Sequence, residues 1–419
     1  MNKKNIALWT LYDFANSIVG VVFFLYFSQW LVVDHGVSDL WYNMIFAIGS
    51  LLLLITTPIL GSIADKTGRQ QNYFNNITIL AFLSFVGASL TTLFFSHNVF
   101  LAALFFLLAN YFYQFSFVFY NGFLRDIAPP EKWGRISGIG QAGNMLGQIT
   151  GLLITLPLAS GAVYLVGQAG RAQTFLPATV IFFLLALPML LFFKLPRQQN
   201  KNYRFTFANV KMEYKNQWRQ FKELISVPHV GMFLLSYFFF NDAIITASNN
   251  FPIYIHNVFA SSDTVKSLLL VGILLTSSIG AIGTGWVADT IGLKKTLMVI
   301  LGSWVVIFPA LGMTTNFSVF VAMAIVMGFF FGATWAVTRA AMTALCPKEK
   351  LNFGFSFYTL AERVSTLVGP LSWGLITSLL ISLGPLRYRI ALSVLAVFVV
   401  IGLYFLRKIR IPNRSLTVV

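Results

Sequence analysis

Twelve stretches of apolar sequence, each long enough to cross a bilayer, follow one another along this chain. They cover 6–33, 41–64, 73–96, 98–124, 136–165, 174–194, 229–258, 264–288, 296–314, 317–345, 353–383 and 386–406. A membrane-spanning helix needs about 20 such residues. With 57% hydrophobic and 10% charged residues, against about 25% charged in a soluble domain, the chain lacks the polar surface to cover a soluble globule. It reads as a polytopic helical membrane protein.

The charges agree with that reading. The formal net charge is +16, which in isolation would invite a nucleic-acid partner. With the N-terminus placed in the cytosol, however, 24 of the 29 Lys and Arg fall on the cytosolic side. Four fall outside (Arg171, Lys266, Arg387, Arg389), and Arg363 lies within a span. Short cytosolic loops carry such an excess of Lys and Arg, so both termini are expected in the cytosol. The basic excess is topology, with some attraction to anionic lipid, and no nucleic-acid partner is expected. The single cysteine, Cys346, excludes an internal disulfide. No cleavable leader is expected, because "MNKKN" runs directly into a full-length span.

The long polar stretch 195–228 divides six spans from six. This predicts a six-helix bundle over 1–194, a cytosolic basic linker over 195–228, a second bundle over 229–410 and a cytosolic tail over 411–419. Within the linker, Val210, Tyr214, Trp218, Phe221 and Ile225 recur at helical spacing, with Lys211, Lys215, Arg219 and Lys222 on the other faces. That fits an amphipathic helix on the inner leaflet, or a plain connection.

The halves repeat. "GSIADKTGRQQ" from Gly61 and "GWVADTIGLKK" from Gly285 share Gly, Ala-Asp and a second Gly at an offset of 224 residues. "PPEKWGRISGIGQAGNMLGQITG" leads into span five and "CPKEKLNFGFSFYTLAERVSTLVGP" into span eleven, aligning Gly147 with Gly369 at an offset of 222. Paired half-molecules around a central path are a transporter plan.

"GSIADKTGRQ" resembles the signature loop of the major facilitator superfamily, Gly-x-x-x-Asp-x-x-Gly-Arg, and its weaker second copy fits as well. "LYDFANS" in span one, "YNGFLRDIAPPEKWGRISGIG" after span four and "TRAAMTALCPKEKLNFGFSFYTLAERVSTLVGP" into span eleven resemble the vacuolar-effluxer branch, whose fungal members export amino acids from the vacuole. The branch's Gln-x-x-Ser-Arg-Ser run reads "WAVTRA" here, keeping Arg339, and Glu362-Arg363 stands where the branch tends to have Gly-Lys. The resemblance implies twelve helices in two pseudo-symmetric bundles and transport by alternating access. It makes Gly61, Asp65, Gly68, Arg69, Gly285, Asp289 and Arg339 gating residues. Asp65 would face the start of span eleven near Phe353 and Gly354, and Asp289 the start of span five near Ile136 and Ser137. An anion suits a helix N-terminus, and Lys66, Lys294 and Lys295 add charge partners. The plainer reading is a loop pinned at the interface. Gly61 is expected to let span two pack closely on a neighbour.

Two carboxylates lie inside spans: Asp13, with Asn16 one turn on, and Asp242, beside Asn241 near mid-membrane. They stand 229 residues apart, close to the repeat offset. Charge in hydrocarbon is expensive and marks function. Removal from water makes a carboxylate hold its proton more tightly, which suits proton coupling; the other functional reading is a ligand for a cationic group. For Asp13, a solvated position near the interface competes. Arg363 offers a fork for a carboxylate, about 100° around the helix from Glu362, unless it forms an inter-helix ion pair. Gln141, Asn144 and Gln148 share one helix face and are expected to line a cavity. Asn249 and Tyr358 complete the set of substrate- or proton-binding candidates. Pro252, just after Asn249-Asn250, either breaks span seven or only kinks it.

"GIGQAG" from Gly138 matches a dinucleotide fingerprint but has no strand before it; Gly143, Gly147 and Gly151 read better as a close-packing face. The four histidines show no metal-ligand spacing. No cofactor or metal is expected, and the chain is not expected to be an enzyme. The expected cargo is a small polar solute such as an amino acid or similar zwitterion, exported with protons or another coupling ion by a monomer in a bacterial inner membrane. The alternatives are an exporter of a larger amphipathic compound (drug, siderophore or lipid) and a non-transporting receptor or assembly factor.

Overall fold

The computed structural model describes residues 3–128, 133–167, 169–195, 207–346 and 351–412. It is helical nearly throughout. The helices are α1 (Lys3–Val22), α2 (Asp39–Thr67), α3 (Gln70–Phe94), α4 (Val99–Ile127), α5 (Trp133–Ala159), α6 (Phe175–Phe192) and α7 (Phe207–Ile225). After these come α8 (Val230–Phe259), α9 (Asp263–Ile291), α10 (Leu293–Met313), α11 (Phe317–Leu345), α12 (Leu351–Val364), α13 (Val368–Leu379) and α14 (Leu386–Lys408). Widened π-type turns at Phe23–Phe27 and Trp30–Asp34 carry α1 on as a 32-residue helix to Asp34.

Among the described residues, eleven helices are long and apolar enough to cross a membrane. Ten of the predicted segments each overlap one of these helices over most of its length, and span one is α1 with its extension. Span eleven is the exception. Instead of one helix over 353–383 it is α12 and α13, separated at Ser365–Leu367. Span seven is the converse case, since α8 continues through Pro252. A proline removes one donor from the ladder, and buried neighbours can absorb that loss within a bundle.

The chain packs as two compact units. One contains Met1–Val37, Leu51–Tyr214 and Ser262–Ser267; the other contains Ser38–Ser50, Lys215–Ser261 and Leu268–Val419. In the first unit α5 lies along α1 through a stripe of glycines. Added Cβ atoms at Gly140, Gly143, Gly147 and Gly151 would meet Trp9, Thr10, Phe14 and Ile18 in turn. The Gly147 position would press on the Phe14 carbonyl, and the Gly151 position would stand 3.0 Å from that of Ile18. Small residues let backbones approach where lipid gives no hydrophobic drive to associate. The second unit uses the same device between α9 and α11, where Gly280 meets Phe329, and Gly328 and Gly332 meet Ile273 and Ser277.

Each copy of the repeated loop turns on a positive-φ glycine, but Gly68 closes α2 whereas Gly292 is extended (ψ 145°) and leads into α10. Gly68 (φ +67°) ends α2 and Gly292 (φ +94°) follows α9. The Arg69 amide donates to the Ala64 carbonyl at 3.1 Å, closing the helix end as a left-handed cap does. Glycine adopts this conformation without steric cost. Gly61 and Gly285 do not serve as close-packing residues: among the described residues nothing lies within 4 Å of a Cβ at either. Among the described residues the contact expected for Gly61 is not found.

Candidate functional site

Asp13 is a buried residue of α1, 6% exposed. Asn144 Nδ2, reaching from α5, donates to its Oδ1 at 2.9 Å, and Gln148 Nε2 donates to Asn144 Oδ1 at 2.7 Å. The Gly143–Gly147 contact with α1 brings the two helices close enough for these short side chains to meet. Asp13 is therefore not a solvated interfacial group. The Tyr120 hydroxyl donates to the Trp9 carbonyl at 3.2 Å, beside Asp13. One turn along, Asn16 is 1% exposed, and neither atom of its amide has a partner among the described residues. Gln141, one turn before Asn144, is exposed and stands apart from this chain of amides.

Asp242 is fully buried in α8. Its Oδ2 accepts the Gly369 backbone amide at 2.7 Å, with the Val368 amide and the Thr246 hydroxyl beside it. Val368 and Gly369 open α13, so Asp242 caps a helix N-terminus, where free amides and the helix dipole favour an anion. Asn241, its neighbour, donates to Ser365 Oγ and to the Glu362 carbonyl, the latter at 3.3 Å. The two repeat-related aspartates are thus satisfied differently: Asp13 by a side-chain amide, Asp242 by the backbone of a broken helix. At the repeat offset, Asn144 corresponds to Thr366, inside the break.

Tyr358 on α12 is buried and stacks on Tyr237 of α8, ring centroids 4.4 Å apart and planes 12° from parallel. The charges of Glu362 and Arg339 act on both rings. Arg339 is exposed and Glu362 half-buried. Arg363 follows Glu362 on α12; its side chain lies outside the described residues. The Asn249 carbonyl accepts from Tyr42 at 3.0 Å, and Asn250 exchanges two amide bonds of 2.9 Å with Asn43. The side chains of Asp65, Lys66, Asp289 and Ser137, and of Phe353 and Gly354, lie outside the described residues, so the partners expected for both gating aspartates do as well.

Two charged clusters were not expected from the sequence. In the first unit Arg171 bonds Asp34 and, through Nε and Nη2, Asp263 at 2.7 and 3.0 Å. The buried Lys266 donates to Asp263 at 3.0 Å and to Gln29. In the second unit the Tyr388 hydroxyl donates to Asp39 at 3.0 Å and accepts from Arg387 at 2.9 Å. Thr246, Ser365 and Tyr237 were also missed. For Thr246 the available signal was its position one turn beyond Asp242.

The family model described as "Vacuole effluxer Atg22 like" matches residues 128–414. The chain belongs to this family. A Bacillus subtilis (strain 168) protein called "Uncharacterized MFS-type transporter YxiO" is 25% identical over 383 residues, covering 87% of this chain and 86% of its own length. "Autophagy-related protein 22" of Yarrowia lipolytica is 23% identical over 303 residues, 65% of this chain and 50% of the fungal protein. The fold is that of a bacterial homologue of the human lysosomal transporter Spinster (TM-score 0.75, 14% identity, 97% of each chain covered). It is also that of a D-xylose–proton symporter (TM-score 0.72, 15% identity, 98% of each chain covered). This Atg22-like chain is therefore a multi-pass membrane transporter of the major facilitator type. The matched stretch includes Asn144, Asp242, Arg339 and the whole of the broken span; Asp13 lies before it.

Proposed function

We propose that this Atg22-like transporter exports an amino acid or similar zwitterion, coupled to protons, by alternating access. The observation that carries the reading is the pair of buried, repeat-related carboxylates. Asp13 and Asp242 are both buried in α1 and α8, 229 residues apart and so close to the repeat offset, and each is held by a helix of its own half. Buried ionisable groups in spans mark ion and substrate pathways. In this reading Asp242 carries the coupled proton and Asp13 meets the ammonium of the cargo. Asn16, Asn144, Gln148 and Gln141 add polar contacts from the first half; Asn241, Asn249, Tyr358 and Glu362 add them from the second. Arg363 receives the cargo carboxylate through its planar fork. Two buried acids and a guanidinium suit a zwitterion better than an apolar compound, whose transfer needs no fixed charge.

In the same reading Asp65, Arg69, Asp289 and Arg339, with Gly61, Gly68 and Gly285, bias the equilibrium between states by contacts made in only one of them. The sorting of Lys and Arg supports cytosolic termini, and the bacterial relative supports a bacterial inner membrane. The protein acts as a monomer.

Counterflow tests the cargo. Proteoliposomes preloaded with pooled amino acids should accumulate a labelled member of the transported pool above the level in protein-free liposomes. Accumulation with no pool, from protein shown to be folded and inserted, rejects amino-acid transport.

A further inference from the structure

Span eleven breaks just before Gly369-Pro370: α12 stops at Val364 and α13 starts at Val368. Pro370 has no N–H to offer the Thr366 carbonyl one turn back, so the helix ladder is interrupted there. Contacts from two other helices hold the gap. Asn241 bonds Ser365 Oγ and the Glu362 carbonyl at the end of α12. Ser50 on α2 meets Thr366 Oγ1 at 2.5 Å and its carbonyl at 3.3 Å. Asp242 takes the Gly369 amide at the start of α13. Adjacent residues on α8 therefore hold the two sides of one break. Gly369 makes the second contact possible: a Cβ there would press on the Thr246 hydroxyl and stand 2.8 Å from Asp242 Oδ1.

We propose that Asn241 and Gly369 are positioning residues for Asp242, and that the Asn241-Asp242 pair is a two-ended clamp on a hinge in span eleven. Charged Asp242 holds α13 against α8, and loss of that charge releases it. The clamp is a geometric claim; its role in transport rests on the coupling function proposed above for Asp242. Hydrogen bonds from backbone amides to a carboxylate are about twice as strong as neutral ones, and a helix N-terminus favours the anion. Protonation removes both advantages at once, which turns a proton into a movement of α13.

Among the described residues, the carboxylate's neighbours are the two amides and the Thr246 hydroxyl. α13 carries no titratable side chain, and α14 has none between Arg389 and Tyr404. α12 carries Tyr358, Glu362 and Arg363 in its sequence, and α11 carries Arg339. On α8 itself the nearest are Tyr237 and Tyr254, and the α2 segment of this unit carries Asp39 and Tyr42.

Hydrogen–deuterium exchange of the full-length protein in lipid nanodiscs tests the clamp. Asp242→Asn and Asn241→Ala should each raise exchange across 365–370 tenfold or more, leaving α10 and α14 unchanged. The parent should show the same local rise as pH falls, after correction for intrinsic rates, and Asp242→Asn should lose that pH response. Identical exchange of the break in parent and Asp242→Asn at every pH overturns the clamp. If a variant loosens everywhere, the parent's pH series decides: a rise confined to 365–370 supports the clamp, and no rise overturns it. Solute-driven proton flux by the same proteins in sealed proteoliposomes separates the two claims. Flux lost in Asp242→Asn with unchanged exchange removes the clamp and keeps the coupling role. Raised exchange with parent-like flux removes the coupling role and keeps the clamp.

Discussion

The backbone amide of Gly369 donates to the buried carboxylate of Asp242 across 2.7 Å. A glycine at the start of one half-helix and an acid in the middle of another span thus fix each other. Neither role can be filled by a bulkier residue without moving one of the two helices.

The first prediction concerns that contact. Gly369→Ala places a methyl group 2.8 Å from Asp242 Oδ1. Overpacking of this kind costs about 1–3 kcal/mol. The melting temperature of purified protein should fall, and transport should fall further than stability alone explains. Gly285→Ala, with nothing within 4 Å among the described residues, should leave the melting temperature unchanged.

Gly147 makes the equivalent approach in the first half, against the Phe14 carbonyl. Here the obstacle is backbone, which cannot rotate away. Gly147→Ala should destabilise by at least the same ~1–3 kcal/mol, measured as the shift in thermal unfolding. Gly61→Ala is the control, and an equal loss there would contradict the packing account.

How far these sites were legible from sequence differs by kind. The spans, the half-repeat and the glycine stripe of α5 could be read because each is local or periodic. Lipid selects long apolar runs, and close helix packing selects glycines one turn apart. The break in span eleven has a local mark in Gly369-Pro370, but Asn241, Asp242 and Ser50, which hold it, come from elsewhere in the chain and could not be read. Pro252 misleads: the local signal is strong, yet the buried helix around it continues. The Arg171 cluster joins residues 92 and 137 positions apart, and no pattern in the sequence marks such partners.

The amide chain on Asp13 gives a third test. Asn144→Ala removes the donor at 2.9 Å and leaves a buried carboxylate short of a partner. Such a loss costs about 1–3 kcal/mol. Asn144→Asp should be worse, because it sets two acids side by side. Thermal unfolding at neutral pH should rank parent above Asn144→Ala above Asn144→Asp, and acidification should narrow the gap between the last two.

A fourth test addresses the charged cluster of the first unit. Arg171 pairs with both Asp34 and Asp263. Breaking a buried pair by removing one partner costs about 3–5 kcal/mol, less here because Asp34 is partly exposed. Arg171→Ala should therefore destabilise the protein clearly. Lys266→Met should do so less, since Asp263 keeps Arg171. The reverse ranking of melting temperatures would contradict the assigned network.

The central claim is that Asp242 couples a proton to the movement of a zwitterionic solute. It is tested most directly by intravesicular pH in proteoliposomes holding a pH-sensitive dye, with parent and Asp242→Asn protein challenged by pooled amino acids. A solute-dependent proton flux is expected with the parent, none with protein-free liposomes, and its loss in Asp242→Asn although the variant is folded and inserted. Parent-like flux from Asp242→Asn at every pH would contradict the claim.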